Sequence, residues 1–98
     1  MGGKGSVSAA ARMKLVRTIC VDPEIVVSSL TLIPLRAKLA EKEIGGKPAT
    51  EESIKRASEL AAEEMLALAK KDNPYERTLI EITVARTLRS IMEGSIPV

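Results

Sequence analysis

The side chains that could do chemistry in this sequence are few. It contains no histidine, which removes the commonest general base and with it any Ser-His or Cys-His nucleophile. Carboxylates remain. Glu59, Glu63 and Glu64 fall within about a turn of one another, with Lys55 and Arg56 upstream. Paired acids can act as acid and base in glycosyl transfer, but these lie on the polar side of an apolar helical stripe. There, interleaved charges simply support a solvated helix. Cys20 is the only cysteine, so an internal disulfide is excluded, and without a second thiol or an imidazole no structural zinc site forms around it. It reads as a plain strand residue. Gly45-Gly46-Lys47 and Gly3-Lys4-Gly5-Ser6 resemble phosphate loops superficially, yet neither has the G-x-x-x-x-G-K-[ST] spacing. Met1-Gly2 followed by Ser6 fits the myristoylation pattern, a short match that arises easily by chance. Arg86 and Arg89, on the third helix, face either an acidic partner or water, and the solvent-facing reading is the favoured one. The sequence therefore offers no catalytic residue and no metal site.

The elements that carry these residues follow from hydropathy period. After the glycines at positions 2, 3 and 5, which predict a flexible start over 1–5, Val7, Ala9, Ala11, Met13 and Leu15 alternate with Ser8, Ala10, Arg12 and Lys14. That period of two predicts a strand with one buried face. A second run spans Arg17 to Val21, and Asp22-Pro23 predicts a turn after it. Ile25, Val26, Val27, Leu30, Leu32 and Ile33 predict a further strand, rich in branched side chains. The strand region is thus 6–33, with two or three antiparallel strands.

Residues 34–92 predict a layer of three helices. Pro34 suits a first helical turn, where its missing N–H costs nothing, and Gly45-Gly46 supplies a left-handed stop. This places the first helix at Pro34 to Ile44. Thr50 is a good N-cap, and Glu51 and Glu52 lie where the helix dipole favours negative charge. Ile54, Ala57, Ala61, Met65, Leu68 and Ala69 then recur at spacings of three and four, defining a long helix that ends near Lys70 and Lys71. Asn73-Pro74 breaks the pattern. Leu79, Ile80, Val84, Leu88 and Ile91 form the third stripe, stopped by Gly94. A short turn between the second and third helices makes them antiparallel, and Ala57, Ala61, Ala62 and Ala69 allow close approach. The fold class is α+β: a small antiparallel sheet of about three strands followed by three helices packed on one face.

Composition bounds the rest. A chain of 98 residues forms one domain. Its net charge of +2 does not call for a polyanion, and Tyr75 is the only aromatic residue, which argues against a nucleic-acid partner read by base stacking. No apolar stretch is long enough to span a membrane and the start lacks the apolar core of a secretion signal, so a cytoplasmic location is expected.

Several segments together resemble a known family. Pro34-Leu35-Arg36-Ala37, Gly46-Lys47-Pro48 with Thr50-Glu51-Glu52, and Ala57 with Ala61-Ala62-Glu63-Glu64 look like successive elements of the C-terminal domain of the flavoprotein (medium) subunit of molybdenum hydroxylases, the carbon monoxide dehydrogenase and xanthine dehydrogenase group. Tyr75, Arg77 and Val84-Ala85-Arg86-Thr87-Leu88 resemble its third helix. Ser28-Ser29 stands where that family carries a Gly-Gly pair. The resemblance implies the sheet-then-helices fold read above. It also implies a non-catalytic docking role within an electron-transfer assembly. FAD would belong to the parent subunit and no cofactor to this segment alone. The implied partners are the preceding FAD-binding domains, a molybdopterin-binding large subunit and a [2Fe-2S] small subunit. Residues near a flavin in such an assembly would be Ser28, Ser29 and Arg36, with a salt bridge to Glu41, Glu43 or a second-helix carboxylate as the other reading of Arg36. The alternative is a stand-alone homo-oligomeric interaction module that kept the fold and lost flavin function.

Overall fold

A computed structural model describes residues 7–29, 32–70 and 74–94. The expected flexible start, Leu30, Thr31, Lys71 and Asn73 lie outside them. The element order is β1 (Val7–Val16), β2 (Ile19–Ser29), β3 (Leu32–Arg36), α1 (Lys38–Ile44), α2 (Glu51–Ala69) and α3 (Pro74–Gly94). The strands form an antiparallel sheet in the order β1-β2-β3. The α+β class, the three strands and the three helices all agree with the periodicity.

The alternation in β1 works as its sequence predicts. Val7, Ala9, Ala11, Met13 and Leu15 pack against the core while Ser8, Ala10, Arg12, Lys14 and Val16 are exposed. Across the ladder Ala9 pairs with Val27, Ala11 with Ile25 and Leu15 with Cys20, so all three partners turn to the same side and are fully buried. The opposite face of the sheet carries no helix. Helix α3 packs along β1, α1 packs along β2, and α2 lies against both α1 and α3. Ile54, Met65, Ile80, Val84 and Leu88 close the core from the helix side.

Two boundaries differ from expectation. Asp22-Pro23 does not turn the chain; it forms a bulge inside β2, where the two residues oppose Met13 alone. Asp22 has φ +52° there, a conformation Asp tolerates better than most residues. The hairpin reverses at Arg17 and Thr18, whose φ values are +52° and +70°, the backbone of a tight primed turn without its usual Asn or Gly. Pro34 does not begin a helix. It lies in β3, in a second bulge where Ile33 and Pro34 oppose Ser28. A proline is tolerated in an edge strand because its missing N–H breaks no ladder. The run read as one strand from Ile25 to Ile33 is therefore two, and α1 starts at Lys38.

The remaining helix signals hold. Thr50 caps α2, its hydroxyl accepting the Ser53 N–H at 3.2 Å. Lys70 ends α2 in the left-handed region, and Pro74 opens α3. Gly46, at φ +80°, supplies the left-handed stop after α1, while a Cβ on Gly45 would stand 3.1 Å from the Glu41 carbonyl oxygen. Leu68 is the exception in the second stripe, at 56% exposure, and Leu66 is buried instead. Helix α1 has seven residues, about 10 Å of helix against about 28 Å for α2. Its start lies level with Glu64, which accepts the Leu39 N–H, so Leu68 projects one turn beyond its cover. Tyr75 is 69% exposed, which leaves the core without an aromatic ring among the described residues.

Fully buried alanines at positions 57, 61 and 62 set the closeness of α2 to its neighbours. Ala61→Leu is expected to lower unfolding free energy by about 1–3 kcal/mol through overpacking. Ala67→Leu, on the exposed side of the same helix, is expected to leave it nearly unchanged. Urea denaturation followed by far-UV circular dichroism measures both.

Candidate functional site

The best-built polar cluster lies where β3 leaves the sheet and becomes α1. In an antiparallel ladder each N–H on the paired side of β2 needs an acceptor from β3. Val26 still faces Arg36, and the Ile25 carbonyl accepts the Ala37 N–H at 2.8 Å. Beyond Ala37 the chain turns into α1, leaving the Ile25 N–H without a strand partner. Glu41, in the first turn of α1, supplies one: its Oε2 accepts that N–H at 2.8 Å. The same carboxylate accepts two hydrogen bonds from Arg36, Nε to Oε2 at 3.0 Å and Nη2 to Oε1 at 2.8 Å. This is the paired fork geometry that favours arginine.

The environment of Glu41 follows from its position. Its side chain is 11% exposed. Burial acts to raise its carboxyl, but the hydrogen bonds from Arg36 and the Ile25 N–H, with the charges of Arg36 and Lys38, outweigh it and hold the group below its ordinary 4.5. Arg36 is raised in turn by its hydrogen bond to Glu41. A carboxylate held ionised by three donors is a fastener and a poor proton acceptor. Of the alternatives for Arg36, the pairing with Glu41 is the one observed.

The other proposed site residues are placed by the sheet. Ser28 is half-buried on β2, opposite Ser8 on one side and the Ile33–Pro34 bulge on the other. Ser29 ends β2 opposite Val7 and Leu32. Ser28 and Arg36 share the helix-free face but lie two ladder positions apart, since Arg36 pairs with Val26. Arg36 closes β3 rather than opening a helix. Cys20 is fully buried, and burial pushes its thiol up, as befits a strand residue.

The carboxylates on the helices serve structure. Glu64 Oε1 accepts the Leu39 N–H at 2.9 Å and caps α1 from α2, a role that Ala37, the N-cap residue, cannot fill. Glu51 accepts a paired hydrogen bond from Arg89 at 3.0 and 2.9 Å, tying the start of α2 to the last turns of α3. Arg89, read from sequence as solvent-facing, is thus a helix tie. Glu43 pairs with Lys47 at 2.7 Å. Sequence reasoning missed the capping by Glu64, because a cap supplied by another element has no local spacing to announce it. Among the described residues no group of acidic and thiol side chains is arranged to hold a metal ion, and no helix is long and apolar enough to cross a membrane.

A groove of about 440 Å³ lies between α2 and α3. Glu51, Glu52, Glu59 and Glu81 line it against Lys55 and Arg89. Its excess of carboxylates opposes a pyrophosphate, so it does not fit FAD.

With this geometry in place, the comparisons are specific. The sequence profile of the CO dehydrogenase flavoprotein C-terminal domain matches residues 5–91. The chain belongs to this family. No curated protein matches the sequence significantly. Among solved structures, quinoline 2-oxidoreductase from Pseudomonas putida 86 is similar, with a TM-score of 0.78 and 21% identity over 93% of this chain and 33% of that one. Cu,Mo-CO dehydrogenase in a cyanide-inactivated form gives 0.69 and 19% over 85% of this chain and 30% of that one. The carbon monoxide dehydrogenase of Hydrogenophaga pseudoflava that lacks the Mo-pyranopterin moiety gives 0.65 and 23% over 87% and 30%. The CO dehydrogenase flavoprotein C-terminal domain fold is therefore shared, and this chain spans about a third of the length of those proteins.

The Glu41 clamp generates a pH prediction. A carboxyl whose folded value is depressed adds stability above its unfolded value and loses it as pH falls through the folded one. Unfolding free energy is thus expected to fall as pH drops below 4.5, with a shallower fall in Glu41→Gln. Glu41→Ala, which strands the Ile25 N–H, is expected to cost about 1–3 kcal/mol at neutral pH. Urea titrations across pH check the slope and the difference.

Proposed function

We propose that this chain is the non-catalytic C-terminal structural and docking domain of a molybdenum-hydroxylase FAD subunit, acting within a cytoplasmic oxidoreductase electron-transfer assembly. The observation that carries this reading is the family match over residues 5–91, nearly the whole chain. The chemistry of its side chains supports it. Glu41, Glu43, Glu51 and Glu64 are occupied in fastening elements together, and the α2–α3 groove has the wrong charge for a flavin pyrophosphate. Catalytic work in such an assembly would fall to its cofactors, with the protein supplying position and electrostatics. FAD would be held by the preceding domains, and the molybdopterin-binding and [2Fe-2S] subunits would be the further partners.

On this reading Ser28, Ser29 and Arg36 would sit toward the flavin side in the full assembly. Any contact by Arg36 would come from the part of its guanidinium left open beside Glu41; the side chain is 48% exposed.

A tagged chain recovered from its source cells is expected to bring down flavoprotein, molybdopterin-binding and iron-sulfur polypeptides. Recovery without any of them would refute the proposal. In a fluorescence titration the isolated chain is expected to leave FAD emission unquenched, and saturable quenching at micromolar FAD would refute the assignment of flavin binding to the other domains.

A further inference from the structure

Both outer edges of the sheet lack a strand neighbour among the described residues, but only one is defended. At β3 the edge is short and carries Pro34 within a bulge, devices that stop further pairing. At β1 it runs ten residues without proline, glycine or a break in the side-chain alternation. The backbone groups on that edge can be assigned. Ile25 turns its N–H to Glu41 and its carbonyl to Ala37, and Cys20 turns both of its groups to the loop after α1. Their cross-strand partners, Ala11 and Leu15, therefore point N–H and C=O the opposite way, to the open side. By alternation Val7, Ala9 and Met13 do the same. The result is a row of backbone donors and acceptors that no strand meets.

We infer that this edge takes an extended segment of a partner polypeptide as an added strand, apolar on the helix side and carrying a carboxylate opposite Lys14. Alternating N–H and C=O groups are complementary to another extended backbone. A second copy of the chain is excluded by α3, which lies over β1 itself. Antiparallel pairing of two β1 edges about a two-fold axis puts both α3 helices on one side about 4.8 Å apart, where helices need about 8–10 Å. The added segment must therefore come without a helix of its own above it. On that side it meets the flank of α3 turned away from α2. There Leu79, Thr83 and Thr87 are half-buried, each about 200° around the helix from Glu81, Ala85 and Arg89 in turn, which line the α2–α3 groove. These three residues are uncharged, which suits apolar side chains. On the bare side the segment meets Arg12, already held by Glu24 at 3.1 Å, and Lys14, which has no ion-pair partner among the described residues. Opposite charges across a strand pair stabilise it. The inference deepens the docking role proposed above, on which it rests for the presence of a partner, by naming the edge used and the form of what binds.

Amide hydrogen exchange read residue by residue tests the inference on the full chain alone and in the native complex recovered from source cells. In the free chain the amides of Ala10, Arg12 and Lys14, turned to β2, are expected to exchange slowly and those of Ala9, Ala11 and Met13 fast. In the complex the second set is expected to slow at least about tenfold while the first hardly changes. Ala11→Pro removes one outward donor and leaves the β1–β2 ladder whole. It is expected to keep its far-UV spectrum yet to recover about fivefold less complex. Exchange on the unaltered chain decides the matter even where that variant fails to fold.

Slow exchange at Ala9, Ala11 and Met13 in the dilute free chain overturns the inference, as does undiminished recovery by a folded Ala11→Pro chain. A complex with the flavoprotein assembly in which these amides stay fast also overturns it and leaves the proposed function standing. Their protection by a partner outside any molybdenum-flavin assembly sustains the inference and overturns that function. A chain recovered alone overturns both. Protection that appears only as the free chain is concentrated overturns the partner strand in favour of self-pairing.

Discussion

The fold depends on how the second edge of β2 is satisfied. One edge of this strand is laddered to β1 apart from the Asp22–Pro23 bulge, but its other edge faces three different solutions along eleven residues. At the C-terminal end β3 pairs with it. At Ile25 the partner is the Glu41 carboxylate. At the N-terminal end the loop after α1 returns to the sheet: the Cys20 N–H donates to the Lys47 carbonyl at 2.9 Å, the Gly46 N–H to the Cys20 carbonyl at 2.8 Å, and the Ala49 N–H to the Thr18 carbonyl at 2.7 Å. Between these lies Pro23, which has no N–H to satisfy. A buried strand cannot leave such groups unpaired without a penalty of about 1–3 kcal/mol each, and this accounting fixes where α1 starts and where it stops. The close approach of Gly45 to Pro23 follows from the same path.

That arrangement explains which parts of the structure could be read from the sequence. The β1 alternation, the Thr50 cap, the Gly46 stop and the Ile80-Val84-Leu88 stripe are local signals, each decided by residues within a turn or a strand of one another. They were legible because the structure imposes nothing that contradicts them. Pro34 and Asp22-Pro23 misled for the opposite reason. A proline is compatible with a helix start, a turn or a bulge on an edge, and the choice depends on whether a neighbouring strand needs the missing donor. Arg17 and Thr18 gave no turn signal at all, since the hairpin imposes positive φ on residues that rarely choose it. The family elements covering Pro34 to Ala37 and Ala57 to Glu64 identified the module even though the first of them is a strand end and not a helix start. The Arg36–Glu41 pairing was legible as a pairing; its service to the Ile25 N–H was not, because that contact joins residues sixteen apart in sequence through a backbone group.

Charge is distributed in the same sense as architecture. Arg12 and Arg36 on the bare sheet face are each paired with a carboxylate, Glu24 and Glu41, whereas carboxylates gather along α2 and the groove it makes with α3. Several of those carboxylates act at joints between elements, so the acidic side is also the internally fastened side. Exposed pairs such as Arg89 with Glu51 add little to stability in water; buried packing of the apolar stripes sets how α2 and α3 lie together.

The aliphatic interior and the exposed position of Tyr75 give the domain an unusual optical character. With no tryptophan or phenylalanine and a single, largely exposed tyrosine, it has almost no near-ultraviolet signature of tertiary packing. In an assembly of the kind proposed, rich in absorbing cofactors, its folding and unfolding would pass unseen by absorbance or intrinsic fluorescence. A melting curve recorded that way would report every other part of the assembly and remain blind to this one.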